Sequence, residues 1–550
     1  VNSGSIFKLR ERGTFSGTGL IANQGSVDLT TAEKASAGAV QNSAEADIDF
    51  VDLSLNQHSL EAGSSNAGQM EGRSLSLEAG HNFRQGASGS LSVSELKMEE
   101  NTILENLGRV EIKPASDGFS PSHDMKGQFI NRGNALLAET KQLNIGSEPT
   151  ADHKVEAKFH TEAGAQTSFA DALVKTGSEL KNEGQESGKN LVVEKLAAYL
   201  IISRGESVWE DVRLEGNATI SGGKLQVTTG FLRVENGATL LNDGGTIHAH
   251  LIDESHVIGT IINKGEARFN QLTLSEGSES HNYGYQVGKL LLVRSDSTGH
   301  NTYEDSRSQW EKVELNEALT NKGSFVITQQ LDAKADITNH GTGFLDTSGT
   351  QGFITAHNLV NYGEAKHQDV TLGDLVEGPS SEVSPSSDLT NPADPEDQTN
   401  LSAVQQGTEP NNPPKKSPET KSDSDLLLQE NPREDESPEE NTSEKDASGD
   451  GSVIDSSQVI RSARMENHGT ETGRNLTITG SASYLNTAKT QWQNLTIRDK
   501  GIYESTAGEV KLQNFNLEKG QAFVKGGSLE TAVNASFKGG SLEVGGEGQY

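Results

Sequence analysis

The stretch "TIHAHLID" sets His248 and His250 two residues apart, with Asp253 close behind. Two imidazoles and a carboxylate are a donor set that zinc accepts. A plainer reading competes with it. On a strand, Ile247, Ala249 and Leu251 share the inward face, which leaves both histidines facing solvent. "ADIDFVDLSL" groups Asp47, Asp49 and Asp52, oxygen donors of the kind calcium takes. A calcium loop needs a Gly-bearing turn among its ligands, and none follows. Trp209, Trp310 and Trp492 are a third group, because exposed indoles can stack on sugars. They occupy the same place in the sequence pattern as Phe269, His367 and Leu512. A position that takes Trp, Phe, His and Leu alike reads as a partly exposed packing site, with ligand contact as the alternative.

Other chemistry is scarce. No Gly-x-Ser-x-Gly elbow and no Gly-x-x-x-x-Gly-Lys phosphate loop occurs. Carboxylates brought together only by folding are invisible to a linear reading, and the 79 acidic residues offer too many candidates. The sequence therefore assigns no catalytic residue, no cofactor and no metal, and the expectation is a protein that is not an enzyme.

What would position these residues is a repeat. "INKGEARFNQLTL" from residue 262 is echoed by "VNYGEAKHQDVTL" from residue 360. Asn-x-Gly starts at Asn23, Asn106, Asn131, Asn182, Asn242, Asn263, Asn282, Asn321, Asn339, Asn361 and Asn467. From Asn242 to Asn361 the gaps are 21, 19, 39, 18 and 22, multiples of about 20. A second marker keeps the same period. "GRNLTI", "WQNLTI", "LQNFNL" and "AVNASF" begin at Gly473, Trp492, Leu512 and Ala532, with gaps of 19, 20 and 20. Within a unit, apolar residues alternate, as in Val212 and Leu214 or Leu495 and Ile497. Period two means short strands with one inward face. A unit of about twenty residues cannot fold alone, so units must stack. Gly and Asn suit the corners, since both tolerate positive φ and Asn can hydrogen-bond along the stack. The expected fold is all-β, a right-handed parallel β-solenoid of ~20-residue coils. The echo across about a hundred residues points to duplication of a five-coil block.

Composition agrees. Only 32% of the 550 residues are hydrophobic and 5% aromatic, too few for one thick core. Cys is absent, which excludes disulfides, zinc thiolates and a cysteine nucleophile. The net charge of −33 argues against nucleic acid or an anionic membrane surface as partner. No run approaches the ~20 apolar residues of a membrane span. Ten of the 13 prolines fall between Pro379 and Pro438, and residues 374–450 hold 20 acidic against 5 basic residues and no aromatic. Such a segment cannot bury enough apolar surface to offset its ordering entropy. The expected organisation is solenoid over 1–373, a disordered acidic Pro/Ser-rich linker or loop insertion over 374–455, and solenoid again over 456–550. Val1 and the repetitive final residues suggest an internal piece of a longer chain.

"LVNYGEAKHQDVTL", "ITNHGTGFLDTSG" and "MENHGTETGRNLTITG" resemble the repeats of the filamentous haemagglutinin family, the large exoproteins of two-partner secretion. The likeness covers most of 1–373 and 456–550. It implies a secreted or cell-surface bacterial adhesin-like rod that binds a protein or glycan on a host or neighbouring cell, or a stalk carrying a tip domain. The alternatives are a solenoid polysaccharide lyase or glycoside hydrolase, and a pure spacer.

Overall fold

The structure, a computed structural model, describes residues 1–9, 13–56, 63–114, 123–137, 142–147, 156–350, 358–372, 459–460 and 464–545. Among them there is no helix, and the paired strands run parallel to the strands above and below them. The expected segment 374–455 lies outside the described residues.

Each coil begins with a short strand, most often of the form x-apolar-x-Asn, such as Ile103–Asn106. A tight turn leads into a second stretch that is often one long strand, such as the nine-residue Glu266–Leu274. The long strands are two sides of the coil joined round a corner. Gln185–Val193 pairs through its first half with Gln166–Phe169 and through its second half with Asp171–Val174. In the next coil, its successor Glu206–Leu214 again faces two separate strands beyond it, Lys224–Val227 and Leu232–Val234. Where all its sides are described, a coil thus offers three strand segments, and alternate residues of each point inward.

Among the described residues, 22 short strands from Leu20–Asn23 to Ser541–Val544 form one ladder. They number the coils from 1 to 22. At about 4.8 Å per coil the rod is roughly 100 Å long. In coil 12, Ile261, Ala267, Phe269, Leu272 and Leu274 are buried. The larger of these contribute roughly 1.5–3 kcal/mol each, which a single coil realises only when neighbours cover it.

The two solenoid pieces are one rod. Asn358–Asn361 in coil 17 pairs in register with Arg464–Asn467 in coil 18. Asp369–Leu372 pairs likewise with Asn475–Ile478. The stack is therefore continuous from coil 17 to coil 18.

The Asn-x-Gly turns bond along the stack as expected, but positive φ is not what selects their glycines: of the eleven, only Gly244 has it. Neither Asn263, Asn282 nor Asn361, nor the Gly two residues after each, has positive φ. The asparagines end the short strands and are buried. Asn263 Nδ2 donates to Asn282 Oδ1 at 2.9 Å and to the Tyr285 carbonyl at 3.0 Å. The Gly284 amide donates to Asn282 Oδ1 at 3.2 Å. Each side-chain amide thus links its own turn to the next coil. Thr302 interrupts the series in coil 14, and a second run joins Asn321, Asn339, Asn361, Asn467 and Asn486, at 2.7, 2.7, 2.9 and 2.9 Å between successive pairs. The glycines are needed for closeness. A Cβ on Gly284 would sit 2.2 Å from the Gly265 carbonyl oxygen, and one on Gly469 would sit 2.1 Å from that of Gly363.

Candidate functional site

The corner inside the long strand carries the chain's most distinctive side chains. The fourth residue of this strand points inward. In coils 7, 8 and 9 it is Phe169, Gly188 and Trp209. In coils 12, 13 and 14 it is Phe269, Gly288 and Trp310. Gly288 is directly in register with both Phe269 and Trp310. The pattern returns after coil 17 as His367, Gly473 and Trp492, with Gly473 in register with Trp492. The glycine lets the two rings fold together beneath it. Phe169 and Trp209 lie with centroids 5.5 Å apart, Phe269 and Trp310 6.4 Å apart, His367 and Trp492 6.1 Å apart, all stacked. A Cβ on Gly188, Gly288 or Gly473 would meet the indole at 2.2, 2.2 or 2.1 Å. An earlier version occurs in coils 2 and 3, where Phe50 fills the space left by Gly72. The glycines therefore stand in coils 3, 8, 13 and 18. This is the five-coil block that the echo implied.

Two residues before the glycine the chain buries a polar group. Glu186 and Glu471 are enclosed, and burial pushes each carboxyl up to about 8. Thr161 Oγ1 donates to Glu186 Oε1 at 2.8 Å, and the Tyr199 hydroxyl to Glu186 Oε2 at 3.4 Å. Trp209 Nε1 donates to the same Tyr199 oxygen at 3.1 Å. In the last block the Tyr484 hydroxyl reaches Glu471 Oε2 at 3.0 Å. The middle block substitutes both members. Gln286 replaces the acid and His300 replaces the tyrosine. Gln286 Oε1, His300 Nε2 and Trp310 Nε1 are left without hydrogen-bond partners. Burial holds His300 down at about 3, so it is a neutral core residue.

Outside the same corner lie two depressions. One, of about 220 Å³, runs past Gly288 and Trp310 between the outward side chains of Arg268, Lys289, Gln309 and Glu311. The other, of about 540 Å³, crosses four coils past Gly473 and Trp492, walled by Gln491, Gln493, Lys511, Gln513 and Glu530. The Lys289, Glu311 and Thr328 side of the first has a counterpart in Lys189, Glu210 and Thr228, five coils earlier. Beside the larger depression, Asn475, Asn494, Asn514 and Asn534 form an external amide ladder, with bonds of 2.7 and 3.2 Å along its last two steps.

Trp209, Trp310 and Trp492 are 0%, 0% and 1% exposed. They are not the partly exposed positions the sequence suggested. The neighbouring glycine removes the side chain that would have pushed them outward, and they form the buried floor of the corner. His248 and His250 do face outward, rings 5.4 Å apart, and His250 lines the smaller depression. Leu251, expected inward, is 55% exposed, because the strand ends at Ala249 and Ile252 takes the core position. Asp47 and Asp49 point outward from one strand, and Asp52 pairs with Arg73. Asp49 stands between Asp28 and Glu71 in neighbouring coils, and its carboxyl is raised by desolvation and by those charges. Among the described residues no group of three or more His, Asp or Glu is arranged to hold a metal ion.

The fold and this repeated corner define a parallel β-solenoid repeat protein. Comparison with known proteins returns no match, whether to a family model, a curated relative or a solved structure.

Proposed function

We propose that this protein is an adhesin-like repeat rod, secreted or held at the cell surface, that displays a binding surface along its length. The observation that carries the reading is the in-register stacking of 22 coils through the junction of Asn361 with Asn467. Such stacking keeps outward side chains in straight columns over roughly 100 Å. A rod of this kind meets its partner over many coils at once. The partner is a protein or glycan on a host or neighbouring cell. The net charge of −33 opposes nucleic acid and anionic membrane surfaces. The likeness of the Asn-x-Gly repeats to filamentous haemagglutinin exoproteins supports the surface location.

The test uses purified protein against intact cells and a polysaccharide panel, following both saturable binding and release of reducing or unsaturated sugar ends. Saturable binding without turnover supports the adhesin. Turnover abolished by one Asp or Glu substitution would replace it with the lyase or hydrolase. Neither binding nor turnover would leave a spacer.

A further inference from the structure

We propose that the outer corner beside each buried Gly–Trp pair is a repeated subsite for a linear, uncharged polysaccharide lying along the rod. The proposal rests on reading the rod as a binding surface, and names where and what it binds.

Three observations carry it. The first is shape. The larger depression crosses four coils from Gly473 to Thr531, so its long direction follows the axis and suits a linear polymer. The glycine's absent side chain is an inward one whose place the neighbouring ring takes, so the floor of the depression is bare backbone over a buried indole. The second is chemistry. The walls offer amides, hydroxyls and charges of both signs: Lys289 and Glu311 in one depression, with Arg268 at its edge paired to Glu266, and Lys511 and Glu530 in the other. Such a lining matches sugar hydroxyls, which donate and accept. It offers an apolar peptide anchor no accessible ring, since Trp310 and Trp492 are 0% and 1% exposed. A net charge of −33 repels a polyanion. The third is repetition. Gly188, Gly288 and Gly473 stand five coils apart with the same side of the corner outward. Five coils at about 4.8 Å put successive subsites about 24 Å apart on one line. A polymer long enough to span two of them binds the second intramolecularly and gains avidity.

The experiment uses the full chain immobilised and neutral polysaccharides in solution: dextran, β-1,3- and β-1,4-linked glucans, glucomannan and galactomannan, with heparin and polygalacturonate as anionic controls. Oligomers of the retained polymer are then graded by length. The expected result is retention of a neutral polymer, with apparent affinity rising at least tenfold once the oligomer exceeds about 24 Å. Gln491→Ala with Gln493→Ala, and separately Lys289→Ala with Glu311→Ala, should each lower that affinity at least tenfold. All four side chains are outward, so folding is preserved and circular dichroism checks it. Retention of anionic polymers only, retention of none, or neutral binding untouched by both double variants overturns the proposal. If no neutral polymer is retained, or the double variants retain it like the parent, while the protein still binds cells saturably, the groove assignment falls and the adhesin reading stands.

Discussion

Replacing Glu186 with Gln tests whether the solenoid core holds a proton. The carboxyl is buried among Thr161, Tyr199 and Trp209, and burial raises it from 4.5 to about 8. Between those values the folded chain keeps the proton and the unfolded chain releases it. Stability contributed by this group is therefore full below pH 4.5, falls as pH rises to about 8, and is flat above. One pH unit is worth about 1.4 kcal/mol, so the loss reaches roughly 3 kcal/mol at pH 7 and roughly 5 kcal/mol above pH 8. Glutamine keeps the shape and has no proton to lose. Its carbonyl oxygen can accept from Thr161, and its NH₂ can donate to Tyr199. The middle block already uses Gln286 at this position, so the fold accepts the amide. Opening of a repeat array is local, so hydrogen exchange of coils 7 to 9, variant against parent at each pH, is the appropriate measurement. We expect near-equal protection at pH 5 and protection increased by several kcal/mol in Glu186→Gln at pH 9. A variant that is no more protected than the parent at pH 9, or equally altered at both pH values, would refute the buried-proton argument.

The histidines carry the opposite slope. Burial depresses His300 to about 3, so its contribution is present above pH 6.5 and is lost as pH falls toward 3; His300→Tyr should remove this acid loss in thermal melts between pH 7 and 4. The new hydroxyl would also reach toward Trp310 Nε1 and Gln286 Oε1, as Tyr199 does for Trp209 and Glu186. Gly288→Ala places a methyl 2.2 Å from the Trp310 ring, and should cost about 1–3 kcal/mol and raise exchange in coils 12 to 14. Asn467→Ala leaves Asn361 Nδ2 with only the Thr470 carbonyl and Asn486 Oδ1 without its axial donor, and should cost about 1–3 kcal/mol, read as local opening of coils 17 to 19. Deleting 377–454 should leave the far-UV spectrum of the rod β-rich and its melting temperature unchanged, since coils 17 and 18 pair on both sides of that segment.

The period was legible because two kinds of residue mark it independently. Asn-x-Gly recurs for its axial amide bonds and its close carbonyl contact, and Leu-x-Leu recurs for its two inward positions. Asn66-Ala67-Gly68 belongs to the same series and passed unnoticed, because "LEAG" dominates that part of the chain. The reason for the turn residues was only half legible. Axial bonding is chemistry, but close approach between coils is a distance, and no local spacing reports it. The tryptophans were harder. The aligned Gly473 of "GRNLTI" and Trp492 of "WQNLTI" already held the clue that one makes room for the other. Glu186 and Glu471 were invisible as core residues, since a lone acid in a polar repeat reads as solvent-facing. Their signal was alternation. Thr167, Ser207, Gln286 and Thr490 occupy the same inward place in other coils, so an acid there must be buried. Whether the two solenoid pieces joined depended on register across a hundred residues, which no local pattern encodes.

The axial amide ladder has a mechanical consequence. Its bonds lie along the rod, one coil to the next, so a pull on the rod's ends loads them a rung at a time rather than all in parallel. Peeling one coil of about 20 residues frees roughly 65 Å of extended chain for about 4.8 Å of rod lost. A tethered rod under tension would then lengthen in steps at nearly constant force instead of snapping. The buried Gly–Trp pairs, five coils apart, would act as detents that pause each run.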